Sequence, residues 1–324
     1  MKKILTTAFF LSLLLTGCGG NKEENKANDK NQVTISKKKK VGFAQESNAH
    51  PFRIAETESL KKSAAENGFD FVFTDGENDL AKQVSNIENL IAQGVDYIIV
   101  APRESDGFEE VFINAKQANI PVILIDRSTS GTPGEDFTAV VTSDFVWEGE
   151  QAAKWFLENM DGNINVVELA GTPGSSVAID RQNGFKNIVE TNPRLNIIAS
   201  QVGDFYRSNG QKVMANILQA QGKDINAVYA HNDEMALGAV AAIKEAGLEP
   251  GKDIKIIGID GQKEAKEAIE KGEMNVTITC DPHFGEKVFE IISDLENGKK
   301  VEPIQFVVDK VYDNKNISQY KNAF

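Results

Sequence analysis

One pattern repeats through most of the chain after Val41: short apolar runs rich in β-branched residues alternate with stretches of helical spacing. The segments 97–100 and 254–259 are typical of buried strands, whereas 80–92 carries apolar residues at helical spacing. Continuous apolar strands that alternate with helices indicate parallel sheets covered on both faces. Roughly ten strand candidates are too many for one small doubly wound sheet, so the pattern predicts two similar α/β lobes.

Residues 1–18 predict export from the cytoplasm. A basic start, Met1–Lys3, precedes an apolar run from Ile4 to Leu15, and small residues then lead to Cys18. This order describes an export signal, and the run is shorter than the roughly 20 apolar residues of a membrane-spanning helix. Its end, Leu-Thr-Gly-Cys, resembles the bacterial lipobox, which implies that residues 1–17 are removed and Cys18 receives a lipid. The alternative is an ordinary secretory signal with a chance cysteine.

Residues 18–39 have the composition of a disordered linker, which here would be lipid-anchored. Gly, Asn, Lys and Glu dominate it, and few apolar residues are available to form a core. The lysines at 37–40 favour either contact with anionic lipid headgroups, worth about 1 kcal/mol each, or simple solvation. The lipobox implies an extracytoplasmic protein that contacts the membrane through its lipid anchor only.

The acidic charge lies in the part that follows this basic linker. The whole chain has a net charge of −13, which argues against nucleic-acid binding because that affinity depends on Lys and Arg at phosphates. An acidic surface favours a soluble monomer. The two cysteines are Cys18 and Cys280. With Cys18 lipidated, no disulfide forms within the chain, and a hydrophobic core must supply the stability.

Polar and aromatic side chains follow six of the predicted strands. In open α/β sheets, ligands bind outside the carboxyl ends of the strands, so these residues are candidates for a binding site. Asp, Asn and Arg suit paired hydrogen bonds to vicinal hydroxyl groups, and aromatic rings suit the apolar faces of a sugar. The candidates from this pattern are Phe52, Arg53, Asp126, Arg127, Arg181, Phe205, Asn232 and Asp260.

Several of these residues have a structural alternative. Asp144 and Asp233 have the position of N-caps, since each precedes a predicted helix. Arg127 and Arg181 are also compatible with surface ion pairs, which contribute little energy. Phe205 is also compatible with a place in the core.

The strand-end motifs resemble those of type I periplasmic sugar-binding proteins of the ribose-binding family, over Val41 to about Asn316. The segments that carry the resemblance are Leu124–Arg127, Val177–Arg181 with Gly184-Phe185, Gly203–Phe205, His231–Gly238 and Ile257–Gly261. Within the family, segments 166–181 and 228–233 and the pair Phe52-Arg53 look most like the galactofuranose-binding branch, although a member of that branch carries Trp at position 52.

The resemblance implies two doubly wound Rossmann-like lobes joined by a three-segment hinge. It assigns residues 40–142 plus 281–309 to the N-terminal lobe and residues 143–280 plus 310–324 to the C-terminal lobe. The function it implies is capture of one monosaccharide by hinge closure and delivery to an ABC importer. Galactofuranose or a related furanose is favoured, and ribose, fructose or inositol are the alternatives.

The resemblance also implies roles for individual residues. Asp126, Asn232 and Asp260 would bind hydroxyl groups, the three arginines would donate to hydroxyls and the ring oxygen, and the two Phe rings would stack on the sugar. Asp144 near the first crossover, and Glu46 and Arg103 on first-lobe loops, are weaker candidates. Cys280 stands two residues before Pro282, where ribose binders usually carry Gln, and this departure argues against ribose.

Three other functions are alternatives for a chain with this pattern. An enzyme is disfavoured because His50, His231 and His283 lack metal-ligand spacing and no nucleophile elbow or phosphate loop occurs; no cofactor is expected. A sugar-responsive repressor would carry a DNA-binding headpiece where this chain carries a signal and linker. A sugar-sensing subunit for a chemoreceptor or histidine kinase stays open.

Overall fold

The structure is a computed structural model that describes residues 38–222 and 224–324. The predicted export signal, Cys18 and nearly all of the predicted linker lie outside the described residues. In the described part, no helix is long and apolar enough to cross a membrane.

The first lobe is a six-stranded parallel sheet with the order β11-β5-β4-β3-β1-β2. Its strands are β1 (Lys40–Gln45), β2 (Asp70–Asp75), β3 (Tyr97–Ala101), β4 (Val122–Ile125), β5 (Ala139–Thr142) and β11 (Ile304–Phe306). Its helices are α1 (Pro51–Glu66), α2 (Leu80–Ala92), α3 (Glu109–Gln117) and α9 (Gly285–Glu296). Helix α1 packs beside α9, and α2 packs beside α3.

The second lobe repeats this plan with the strand order β12-β10-β9-β8-β6-β7, in which β12 alone is antiparallel to its neighbour. Its strands are β6 (Ile164–Ala170), β7 (Leu195–Val202), β8 (Ala227–Ala230), β9 (Lys255–Asp260), β10 (Val276–Thr279) and β12 (Val311–Asp313). Its helices are α4 (Phe145–Asn159), α5 (Ser176–Val189), α6 (Arg207–Gln221), α7 (Asp233–Glu245) and α8 (Lys263–Glu270), followed by a 3-10 helix over Ile317–Gln319.

The two-lobed α/β architecture predicted from the sequence is confirmed. Strand β3 is buried along its whole length, as expected for a parallel strand covered on both faces. Three short strands, β10, β11 and β12, were not predicted. Helix α1 begins at Pro51, because proline with its fixed φ suits the first turn of a helix.

The chain passes between the two sheets in three connections: from β5 to α4, from β10 to α9 and from β11 to β12. The predicted lobe limits near residues 142, 280 and 309 fall within these connections. The exact residues at which each lobe begins and ends stay a prediction.

A close approach of α4 and α5 sets the position of one candidate site residue, Arg181. A Cβ atom on Gly184 would lie 2.0 Å from the carbonyl oxygen of Val146, and one on Gly149 would lie 2.2 Å from that of Arg181. Because real Cβ contacts are never so short, glycine is required at both positions for the observed helix spacing. Arg181 is thereby held against α4.

Candidate ligand-binding site

A small cavity lies between the two lobes, at the carboxyl ends of their strands. The residues that line it are His50, Phe52, Arg53, Asp126 and Arg127 from the first lobe, and Val177, Arg181, Phe205, Asn232, Asp260 and Cys280 from the second.

Unusual backbone conformations occur where the strands open into this cavity. Asp126 follows β4 with a φ of 59°, and Asp204 and Phe205 follow β7 with φ of 56° and 62°. Asp260, the last residue of β9, has a φ of 128°. Positive φ is uncommon outside glycine, and such residues cluster at functional sites. The clustering supports a functional role for these strand ends.

Arg53 is the centre of the charged cluster in the first lobe, and its side chain is almost completely buried. Its guanidinium lies 3.1 Å from Glu46, 2.9 Å from Glu56 and 2.7 Å from Asp126. Burial alone would lower the pKa of Arg53, but Glu56, Asp126 and Glu46 outweigh it and raise that pKa well above its ordinary value. Asp126 is therefore held in place by a permanently charged partner.

Arg127 is also buried, but its partners are weaker. Its Nη1 donates to the carbonyl oxygen of Arg103 over 3.0 Å, and its Nη2 lies 3.6 Å from Glu46. Its Nε lies 3.6 Å from the carboxylate of Asp126 and forms no hydrogen bond with any of the described residues. Burial, followed by the charge of Arg53, lowers the pKa of Arg127. An unpaired buried donor costs about 1–3 kcal/mol, so this N–H is suited to a ligand acceptor.

Arg181 occupies the corresponding place in the second lobe. Its Nε donates to Glu148 over 2.7 Å, its Nη1 donates to the carbonyl oxygen of His231, and its Nη2 lies 3.7 Å from Asp260. Burial raises the pKa of Glu148 to about 8, although Arg181 acts in the opposite direction. Burial likewise raises the pKa of Asp260 well above its ordinary value. Since the Asp260 contact is long, this carboxyl group has capacity for a further partner.

The two aromatic residues predicted for the site both line the cavity. The guanidinium of Arg53 lies 5.2 Å from the ring centre of Phe52, and that of Arg127 lies 5.3 Å from the ring centre of Phe205. Phe205 packs closely on Gly171, where a Cβ atom would lie 2.0 Å from the ring. Phe205 thus serves both the core of its lobe and the cavity wall.

Hydrogen bonds across the cleft indicate a closed arrangement of the lobes. The N–H of Ser105 donates to the carbonyl oxygen of Gly174 over 2.9 Å. The N–H of Ser128 donates to Oγ of Ser176 over 3.0 Å. The contact of Arg127 with Phe205 also joins the two lobes. The cavity therefore has walls from both lobes.

Asn232 lines the cavity and also begins α7. Its Oδ1 accepts from the N–H of Met235 over 3.0 Å, so it is the N-cap of the helix. The prediction that Asp233 is the N-cap of this helix was wrong. Asp233 lies inside the helix and accepts hydrogen bonds from the N–H groups of Gly261 and Gln262 and from Thr277.

The structure does not bring three of the predicted ligand contacts to the cavity wall. Asp144 is exposed and caps α4 by accepting from the N–H of Trp147 over 2.9 Å. Glu46 is buried and contacts Arg53 and Arg127 without lining the cavity. The side chain of Arg103 bonds to Asn78 instead.

Cys280 does line the cavity. Burial raises the pKa of its thiol well above its ordinary value, so the sulfur is an uncharged part of the wall. His50 and Val177 also line it and were not selected from the sequence. The adjacency of His50 to Pro51 and Phe52 was the signal that could have identified it. Glu56 and Glu148, the buried partners of the arginines, offered no such signal because both lie within helices.

A sequence model of the periplasmic binding protein domain matches residues 41–300. The chain is 41% identical to the galactofuranose-binding protein YtfQ of Escherichia coli (strain K12), over 78% of this chain and 80% of that protein. It is 36% identical to the ribose import binding protein RbsB of Bacillus subtilis (strain 168), over 93% and 96%.

Among solved structures, the periplasmic binding component of the arabinose ABC transporter from Shewanella sp. ANA-3, bound to α- and β-L-arabinofuranose, superposes with a TM-score of 0.83. The identity is 37%, and the match covers 86% of this chain and 93% of that one. The matches cover between 80% and 96% of the length of these relatives. The chain belongs to the periplasmic binding protein family.

Proposed function

We propose that this protein captures one monosaccharide outside the cytoplasm, with a furanose favoured, and delivers it to an ABC sugar importer. The observation that carries the proposal is the composition of the enclosed cavity: three arginines, two aspartates, an asparagine and two Phe rings. Arginine donates and carboxylate accepts, so together they can satisfy hydroxyl groups in both directions. Membership of the family supports sugar binding, an importer as partner and an extracytoplasmic location.

The charges around the cavity support an uncharged ligand. Two of the three arginines have close carboxyl partners within their own lobe: Glu46, Glu56 and Asp126 around Arg53, and Glu148 close to Arg181. An anionic ligand would bring a further negative charge close to the carboxyl groups around Arg53, of which Glu46 is kept ionised: burial would raise its pKa, but Arg127 and Arg53 lower it below its ordinary value. Like charges at this distance repel. A neutral polyol avoids that repulsion.

The furanose preference rests on the relatives. YtfQ binds galactofuranose by its name, and the Shewanella structure holds L-arabinofuranose. The similarity to RbsB keeps ribose as an alternative. Relatives that are named for fructose or hold myo-inositol keep these two ligands as alternatives as well. Cys280 has little hydrogen-bonding capacity, so a sugar that needs an amide at that position is disfavoured.

Hinge closure is the proposed mechanism. The hinge would consist of the three connections between the sheets, with lobe limits of 40–142 plus 281–309 and 143–280 plus 310–324, as the distribution of the strands supports. Because walls from both lobes would touch the sugar, the closed form would bind it more tightly than the open form, which is the condition for closure on binding. No turnover and no cofactor are part of this proposal.

A thermal-shift panel of monosaccharides and polyols tests the proposed function. A ligand that binds the folded state at a hundred times its dissociation constant adds about 2.7 kcal/mol of stability. We expect a clear shift with a furanose-forming sugar and none with pyranose-locked analogues. Flat traces over the whole panel would overturn the proposal, and chemical change of a bound sugar would indicate an enzyme.

A lipid anchor at Cys18 and a monomeric state complete the proposal. Both rest on the sequence pattern and the acidic charge. Mass spectrometry of protein from the membrane fraction should find an acyl group on Cys18, and its absence would refute the anchor. Co-purification with a permease would separate the transport function from a sensing function for a receptor or kinase.

A further inference from the structure

Residues 320–324, which follow the 3-10 helix, are fastened to the second lobe. Tyr320 is buried and stacks on Tyr312 of β12, with 4.6 Å between the ring centroids. A backbone oxygen of Phe324 accepts from the N–H of Lys263 over 2.8 Å. Lys263 is the first residue of α8, where N–H groups have no partner within the helix. This bond therefore holds the backbone of Phe324 at the start of α8.

The side chain of Phe324 contacts the other lobe. Its ring stands nearly perpendicular to the ring of Phe52 on α1, with 5.8 Å between the centroids and an angle of 78°. It also meets the ring of His283, in the connection from β10 to α9, at 6.3 Å and 82°. Edge-to-face pairs of this kind are favourable beyond the burial of the rings. Phe324 is thus attached to the second lobe by its backbone and to the first lobe by its ring.

Phe52 connects this contact to the ligand cavity. Its ring lines the cavity wall and is only 5% exposed. Within the first lobe, the guanidinium of Arg53 lies 5.2 Å from the ring centre. Phe324 adds a neighbour from the opposite lobe, which restricts the ring of Phe52 further. Binding improves when a contact group is already held in its bound orientation, because less ordering is needed.

The contact between Phe324 and Phe52 depends on how the two lobes are arranged. Helices α1 and α8 pack on different sheets, so a change in the angle between the lobes changes the distance between these two rings. The hydrogen bonds of Ser105 and Ser128 across the cleft are present at the same time. The ring contact therefore belongs to the closed arrangement.

We propose that Phe324 is a positioning residue for sugar binding, whose ring joins the two lobes in the closed form and holds Phe52 against the sugar. This inference rests on the proposed function. Phe324 does not line the cavity itself, so it acts through Phe52 and through closure.

Calorimetry and stopped-flow measurements on the full-length protein, extracted in detergent, test this role. Phe324→Ala removes the ring, whereas Phe324→Tyr keeps it. Phe73→Ala is the matched control, since Phe73 is also partly exposed and packs on another ring, that of Phe43, within the first lobe. The probes are D-galactose, L-arabinose, D-ribose and D-fructose.

We expect Phe324→Ala to weaken sugar binding about fivefold, a value within the range for one pair of aromatic rings. Most of this loss should be a faster release of the sugar, because the contact belongs to the closed form. Phe324→Tyr and the control Phe73→Ala should bind within about twofold of the wild type.

The same replacement in a Phe52→Leu background separates positioning from a general effect on the fold. If Phe324 acts through Phe52, Phe324→Ala should weaken binding less than about twofold once the Phe52 ring is absent. A loss of about fivefold in both backgrounds would show that the two residues act independently, and would contradict the proposal.

Two further results would overturn the role of Phe324 alone: unchanged affinity and release rate in Phe324→Ala, or an equal loss in Phe324→Tyr. If Phe324→Ala does not fold, Phe324→Leu takes its place, since it keeps apolar volume without a ring, and wild-type affinity in that variant would refute the proposal. Failure of the wild type to bind any of the sugars would instead remove the proposed function itself.

Discussion

Replacement of Arg181 by Met is the sharpest test of the second-lobe site. The change keeps most of the side-chain volume but removes the bonds to Glu148 and to the carbonyl oxygen of His231. Each buried group left without a partner costs about 1–3 kcal/mol. Two such groups predict a loss of about 3 kcal/mol of unfolding free energy at pH 7. Typical stabilities are about 5–15 kcal/mol, so we expect the variant to fold.

The loss should grow at alkaline pH. The pKa of Glu148 is raised to about 8 in the folded wild type, so its carboxyl group begins to ionise there beside Arg181. Without Arg181 the pKa of Glu148 in the folded state rises further, whereas Glu148 in the unfolded state is already ionised at this pH. The variant therefore keeps losing stability above pH 8, where the wild type levels off, at up to about 1.4 kcal/mol per pH unit.

Urea denaturation followed by the fluorescence of Trp147 and Trp155 on α4, from pH 6 to 9.5, measures both effects. Adding Glu148→Gln to Arg181→Met should reduce the alkaline increase, and Asp260 and Cys280, whose pKa values are raised by burial and lowered by Arg181, account for the remainder. Calorimetry of the folded variant should show sugar affinity at least about 100-fold weaker. Unchanged affinity, or a loss of stability that is the same at pH 7 and 9.5, would refute this account of the site.

Three further outcomes are expected. Gly184→Ala should cost about 1–3 kcal/mol by forcing α5 from α4, whereas Asn183→Ala, exposed on the same helix, should be near neutral in urea denaturation. Ser176→Ala should remove the acceptor for Ser128 and speed sugar release a few-fold in stopped-flow measurements; an unchanged rate would exclude this bond from closure. Burial raises the pKa of Asp309 to about 6. The free energy of unfolding should therefore fall as the pH rises from about 4 to 6, because the folded state holds the proton more tightly than the unfolded state. Asp309→Asn should make the melting temperature less dependent on pH over this range.

Much of the site could be predicted from the ends of strands. Asp126 and Asp260 stand where parallel strands finish, and the carboxyl ends of such strands share one edge of a sheet. Asp144 fulfils the same sequence criterion but serves as a helix cap. A carboxylate before a helix fits both roles, and the sequence alone does not separate them.

The sequence by itself determined the number of lobes, the alternation of strands and helices, and the strand ends that carry polar groups. These features follow from local periodicity, which depends on neighbouring residues only. The tertiary structure decided which carboxylates hold the arginines, since Glu148 and Arg181 meet only because two glycines let α4 and α5 approach. It also decided that His50 lines a cavity. The burial of its ring and the lack of a hydrogen-bond partner for Nδ1 depend on both lobes and are not visible in any one segment of the sequence.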